Sequence, residues 1–238
     1  MWYRTEVVLL FVMTLVKVTV KVTQCIDIKI AAILPADSNR LFSSKRISPA
    51  IEYAIQHLQT HTDLVRGYNF TVTYRDSNCS SADPMNHAIN FYMEKKVDVF
   101  FGPVCDYSVA PVARQVKYWN IPLISAGAMA RDFDDYRNVE YNLLSRVGPV
   151  NFKSLAIMMI NVLEKYRWKG FKLIYDSEGQ SEYMNAFCVI AAGSLHYEIK
   201  ARKPNITQDH FNILSTPEEG IPDMLTEEIG LKDAGRQD

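Results

Sequence analysis

Apolar and polar positions along this chain follow two rhythms, and the switch between them recurs. IDIKIAAILP, beginning at Ile26, is a β-rich apolar run that stops at Pro35. After the loop ADSNRLFSSKR, the residues Ile47, Ala50, Ile51, Ala54, Ile55 and Leu58 recur at helical spacing. YNFTVTYRDS then alternates with the period of a strand, ADPMNHAINFYMEKK returns to the helical rhythm, and VDVFFGP is a short buried strand. Next, YSVAPVARQVKYW predicts a helix with a proline in its first turns, IPLISAGA a strand and NFKSLAIMMINVLEKYRW a long amphipathic helix. GFKLIYDS predicts another strand, SEYMNAFCVIAAGSL another helix and YEIKARK a sixth strand.

Strands separated by helices of this length make an α/β protein with a parallel sheet covered by helices on both faces. Ligands of such sheets gather at the carboxyl ends of the strands. From about Thr207 the rhythm fades. The remainder, ending STPEEGIPDMLTEEIGLKDAGRQD, holds one short helix, DMLTEEIGL, and no closing element.

With 238 residues, 48% of them hydrophobic, the chain buries a real core as one large domain or two small ones. A formal charge of −1, with basic residues scattered rather than striped, argues against nucleic acid or an anionic membrane as partner. The N-terminus reads MWYRTEVVLLFVMTLVKVTVKVTQC, with Arg4 followed by an apolar block from Val7 to Val16. That block is too short to cross a bilayer as a helix, so a secretory signal peptide over 1–24 is favoured; a retained amphipathic strand is the alternative. No second apolar run reaches the length of a membrane span, and the expected location is secreted, extracellular or lumenal. Three glycosylation sequons, at Asn69, Asn78 and Asn205, fit that compartment. So do the four cysteines, Cys25, Cys79, Cys105 and Cys188: their spacing matches no metal site, and one or two structural bridges are expected.

Catalytic chemistry finds little footing. His57 and His61 stand one helical turn apart, but no acidic or cysteine partner follows at ligand spacing, and no metal is assigned. G-x-S-x-G, the P-loop and G-x-G-x-x-G are all missing from the sequence. Cys105 begins a segment at a strand's carboxyl end and could be a nucleophile, although an oxidising compartment favours a paired cysteine. Asp132, Asp134 and Asp135 read as a solvated turn. Binding is the better class, and the chain is not expected to be an enzyme.

The stretches LFSSKRISPAIEYAI, TYRDSNC, FGPVCDYSVAPVARQVKYWNIPLISAGA and YRNVEYNLLSRVGP resemble, in order and spacing, the membrane-distal half of natriuretic peptide receptor ectodomains. The similarity runs from about Ile26 to Ile199 and is greatest to the clearance-type receptor, then to receptor guanylyl cyclases. It implies the type I periplasmic-binding-protein-like fold, two α/β lobes joined by a hinge, with the first lobe and only the start of the second present. The expected organisation is a signal peptide at 1–24, an incomplete receptor ligand-binding region at 26–206 and a divergent tail at 207–238.

Carried over position by position, the resemblance pairs Cys79 with Cys105, a closure worth roughly 3 kcal/mol by loop entropy. It places a chloride ion, the one inorganic cofactor implied, at the Ser77 hydroxyl and the amides of Val104 and Cys105; a hydroxyl and two N–H groups near a helix N-terminus make an anion nest. Tyr107, Arg114 and Glu140 match positions that contact the peptide hormone. Tyrosine and arginine are the residues most often found at binding hot spots, and 107 and 114 share a helix face. The family dimerises through first-lobe helices, here 47–59 and 84–96, with Met85, Phe91, Tyr92 and Met93 as apolar candidates. The implied partners are a peptide hormone and a second subunit, as a homodimer or with a full-length receptor, and a soluble decoy is one role for such a chain. The sequence departs from the family at Ser81, where a cyclase-type member has aspartate, and at Cys25, which has no counterpart. Cys188 is the sole candidate for a second family disulfide whose partner lies outside this chain. The alternative function is an amino-acid-like small-molecule binder of the same fold, which asks for a ring of Ser, Thr and acidic residues at the strand ends; Ser125 and Ser145 are poor support for it.

Overall fold

The computed structural model describes residues 25–61, 63–215 and 217–230; the expected signal peptide, 1–24, lies outside them. Two parallel sheets follow one another. The first has strands β1 (Ile26–Leu34), β2 (Tyr68–Asp76), β3 (Val99–Phe101), β4 (Leu123–Ser125) and β5 (Leu144–Arg146) in the order β2-β1-β3-β4-β5. Helices α1 (Ser44–His61), α2 (Asp83–Met93), α3 (Asp106–Trp119) and the short α4 (Asp132–Asp135) connect them. The chain runs from β1 outward to β2, then returns across β1 to start β3. The strand order therefore reverses between β1 and β3, the point at whose carboxyl side sheets of this kind form a crevice.

The apolar rhythm becomes core along β1, β3, β4 and α3, whereas α1 has no fully buried residue and only packs Ile47 and Ile51 partly against the first lobe. Ala31 and Ile33 of β1, Phe100 of β3 and Leu123 of β4 are fully buried against Val109, Val112, Ala113 and Val116, one face of α3. Ala32 and Leu34, on the opposite face of β1, enter a second cluster with Cys79, Val104, Cys105 and Met129. Gly102, at φ 76°, closes β3, and a Cβ there would strike the Ile33 carbonyl.

The second lobe begins with α5 (Phe152–Lys165), capped by Asn151, whose side chain accepts from the Ser154 amide at 3.1 Å. It continues with β6 (Gly170–Tyr175), α6 (Phe187–Arg202), β7 (Thr207–Asn212) and α7 (Ile221–Ile229). Strands β6 and β7 form a two-stranded parallel sheet from Gly170 opposite Thr207 to Tyr175 opposite Asn212.

Two sequence readings are corrected here. YEIKARK is not a strand but the end of α6: Leu195 and Ile199 lie one turn apart in a buried cluster, and Glu198 bonds Arg202 across the next turn. Two strands had no counterpart in the sequence reading: β5, and β7 at 207–212, inside the segment read as a tail, whose polar sequence TQDHFN gave no strand rhythm. Among the described residues no helix is long and apolar enough to cross a membrane.

Candidate functional site

The carboxyl ends of β1, β2 and β3 meet the N-terminus of α3, and a disulfide closes that corner. Cys79 follows β2 and Cys105 follows β3, the two strands flanking β1, and the bridge spans 5.5 Å between Cα atoms across the end of β1. Cys105 is thereby no free nucleophile. Cys25 and Cys188 are unpaired, and burial raises the Cys188 thiol above its ordinary pKa.

Ser77 is fully buried beside this bridge, and its hydroxyl accepts from the Cys79 amide at 3.4 Å. Val104 and Cys105 are buried as well, and among the described residues their amides have no acceptor. One buried hydroxyl and two buried amides without acceptors suit a small anion. Gly127 holds the Val104 carbonyl so closely that a Cβ at that position would overlap it. Ser125, offered by the small-ligand alternative, is buried and already committed: its hydroxyl donates to the Pro103 carbonyl at 2.6 Å and accepts from the Gly127 amide at 3.0 Å.

Asp106, the first residue of α3, escaped the sequence reading. Its carboxylate is buried and accepts from the amides of Met129 at 2.8 Å and Ala130 at 2.7 Å, tying the segment after β4 to the head of α3. Burial pushes its pKa from 3.8 up to about 6, against the opposing pull of those amides and of Arg146. A lone Asp after a cysteine gives no signal of this in the sequence, since its partners lie at 129 and 130.

Outward from this corner, α3 presents Tyr107, Arg114 and Tyr118 along one exposed face. Tyr107 is 55% and Tyr118 75% exposed. The Arg114 guanidinium lies 5.4 Å from the centre of the Tyr141 ring, and its Nε donates to Glu140 at 2.7 Å, a bond that raises the Arg114 pKa further. The structure thus brings together Arg114 and Glu140, which the sequence placed apart. It adds Tyr118, with the Lys117 ammonium 5.0 Å from its ring, and exposed Val139. Glu140 occupies one of the five guanidinium donors of Arg114. An aromatic, a cation and an aromatic thus stand on one rigid helix face, residue types that are enriched at binding hot spots.

The remaining candidates fall elsewhere. Asn69, Asn78 and Asn205 are all exposed; Asn78 sits at φ 48° beside the disulfide and Asn69 on the edge strand β2. On α2, Phe91 is core, Met93 points outward, and Tyr92 stacks on Trp119 at 4.5 Å while staying 39% exposed. The aspartates of α4 are not a merely solvated turn. Asp134 bonds Arg146 and Asn151, and Asp135 bonds Arg131 and Lys153, so α4 is stitched to the start of the second lobe.

A family model described as the receptor family ligand binding region matches residues 46–236. The chain is 34% identical over 162 residues to atrial natriuretic peptide receptor 3 of Bos taurus, and the match covers 63% of this chain and 29% of that receptor. It is 35% identical over 158 residues to atrial natriuretic peptide receptor 2 of Anguilla japonica, with 63% of this chain and 15% of that receptor covered. The chain thus spans less than a third of these relatives. Among solved structures, a solute binding protein of an ABC transporter from Rhodopseudomonas palustris HaA2 matches with a TM-score of 0.58 at 14% identity, over 87% of this chain and 52% of that one. At that identity the likeness shows the fold: the type I periplasmic-binding-protein-like architecture, here with one lobe and the start of the next.

Proposed function

Because this chain belongs to the receptor family ligand binding region, we propose that it is an extracellular peptide-hormone-binding module of the natriuretic peptide receptor type, without catalytic activity. The observation that carries this reading is the exposed face of α3, where Tyr107, Arg114 and Tyr118 stand in line with Glu140 beside them. A helix holds these side chains at little entropic cost, and the Cys79–Cys105 bridge and the Asp106 bonds fix its N-terminus. A chloride ion at Ser77 and the amides of Val104 and Cys105 would accept from two buried donors behind the same corner. The N-glycans belong to the exposed Asn69, Asn78 and Asn205. The exposed residues of α1 and α2, including Tyr53, Ile89 and Met93, form the surface for a second subunit, in a homodimer or with a full-length receptor. We infer a role for this module as a decoy or as a dimerisation partner.

Fluorescence polarisation of a labelled natriuretic-type peptide on the purified chain, with and without chloride, tests this. Arg114→Ala should weaken binding by about tenfold or more, as truncation of a hot-spot arginine does. It should leave stability within about 1 kcal/mol, because the Arg114–Glu140 pair is half exposed. No binding in either salt would remove the proposal.

A further inference from the structure

The crevice at the carboxyl ends of β1 and β3 is where small ligands enter sheets of this kind, and here the chain's own second lobe fills it. Met184, in the turns between β6 and α6, is 1% exposed and belongs to the buried cluster that contains Ala32, Leu34, Val104 and Cys105, the residues at those strand ends. The Asp106 amide, at the head of α3, donates to the Met184 sulfur at 3.2 Å. That amide is one of the donors a helix N-terminus leaves open, the position at which an anionic ligand group is ordinarily received. Arg40 of the first lobe reaches the turns around Met184: its guanidinium donates to the Ser181 carbonyl at 3.3 Å and to the Asn185 side chain at 3.0 Å. Phe187, just beyond, meets Phe152 edge to face at 5.0 Å and seals the same side.

We propose that Met184 is a specificity-determining plug of the interlobe crevice and Arg40 its latch, so that small metabolites are excluded and recognition is left to the outer face of α3. The last clause rests on the peptide-receptor reading; the plug and latch do not.

Oxidation of the intact chain by dilute hydrogen peroxide, followed peptide by peptide by mass spectrometry, reads the plug directly. Met158, at 49% exposure, serves as the internal reference. Met184 should form sulfoxide about tenfold more slowly than Met158, since oxidation follows exposure and local opening. Arg40→Ala should raise the Met184 rate severalfold and leave the Met158 rate unchanged. Equal rates for Met184 and Met158 in the native chain would overturn the plug, and an Arg40→Ala rate equal to the native one would overturn the latch. Equilibrium dialysis with 4-hydroxybenzoate as probe provides a second measurement: the native chain should take up none, and stoichiometric uptake would overturn the exclusion. None of these assays contains peptide, so their failure and a failure of hormone binding are read separately.

Discussion

Replacing Asp106 by Asn should change how stability depends on pH, with a direction set by the residue's surroundings. The carboxylate is buried, and that burial, outweighing the amides of Met129 and Ala130 and the charge of Arg146, lifts its pKa from 3.8 to about 6. A folded-state value above the unfolded one means that the folded chain holds the proton more tightly. The stabilising contribution is then fully present below 3.8 and is lost as pH rises through about 6. At about 1.4 kcal/mol per unit, that interval amounts to roughly 3 kcal/mol. Asparagine stays neutral throughout. It keeps one amide bond and turns an N–H toward the other, a penalty of about 1–3 kcal/mol that does not vary with pH. In urea titrations of both proteins from about pH 3.5 to about pH 7, the native chain should therefore lose roughly 3 kcal/mol relative to Asp106→Asn. A difference that is flat with pH, or one in which the native chain gains on the variant as pH rises, would refute this assignment of burial as the dominant influence.

Removing the disulfide as Cys79→Ala with Cys105→Ala opens a loop of 26 positions, for which chain entropy gives about 3.5 kcal/mol of lost stability, measured by urea unfolding of the oxidised native chain against the double variant. Gly127→Ala drives a methyl group into the Val104 carbonyl, in a stretch where Ser125 already bonds the neighbouring Pro103, so a loss of about 1–3 kcal/mol is expected in the same assay.

What the sequence made legible is what depends on local rhythm and on side chains with a single common use. The buried strands β1 and β3 and the face of α3 carry their periodicity openly, and Cys79 and Cys105 are paired as the family resemblance implied, at the ends of the two strands that flank β1. The failures share a cause. YEIK alternates like a strand over four residues, yet the contacts that make it helical involve Leu195 before it and Arg202 after it. Strand β7 is polar because it lies at the edge of a two-stranded sheet, where pairing with β6 rather than burial makes it a strand. Within the site, Tyr107 and Arg114 were readable as hot-spot residue types, whereas Asp106, Met184 and Arg40 take their roles wholly from partners distant in sequence. Their residue types are ordinary. Only the folded chain gives them meaning.

In the proposed mode of binding, ligand recognition belongs to the outer face of α3 and not to the crevice. Photo-cross-linking of a natriuretic-type peptide to the purified chain, with the modified residues mapped by mass spectrometry, tests it most directly. Cross-links concentrated on Tyr107, Arg114, Tyr118 and the neighbouring Val139–Glu140 are the predicted result. Cross-links at Met184 and the strand ends, with α3 unmarked, would contradict it.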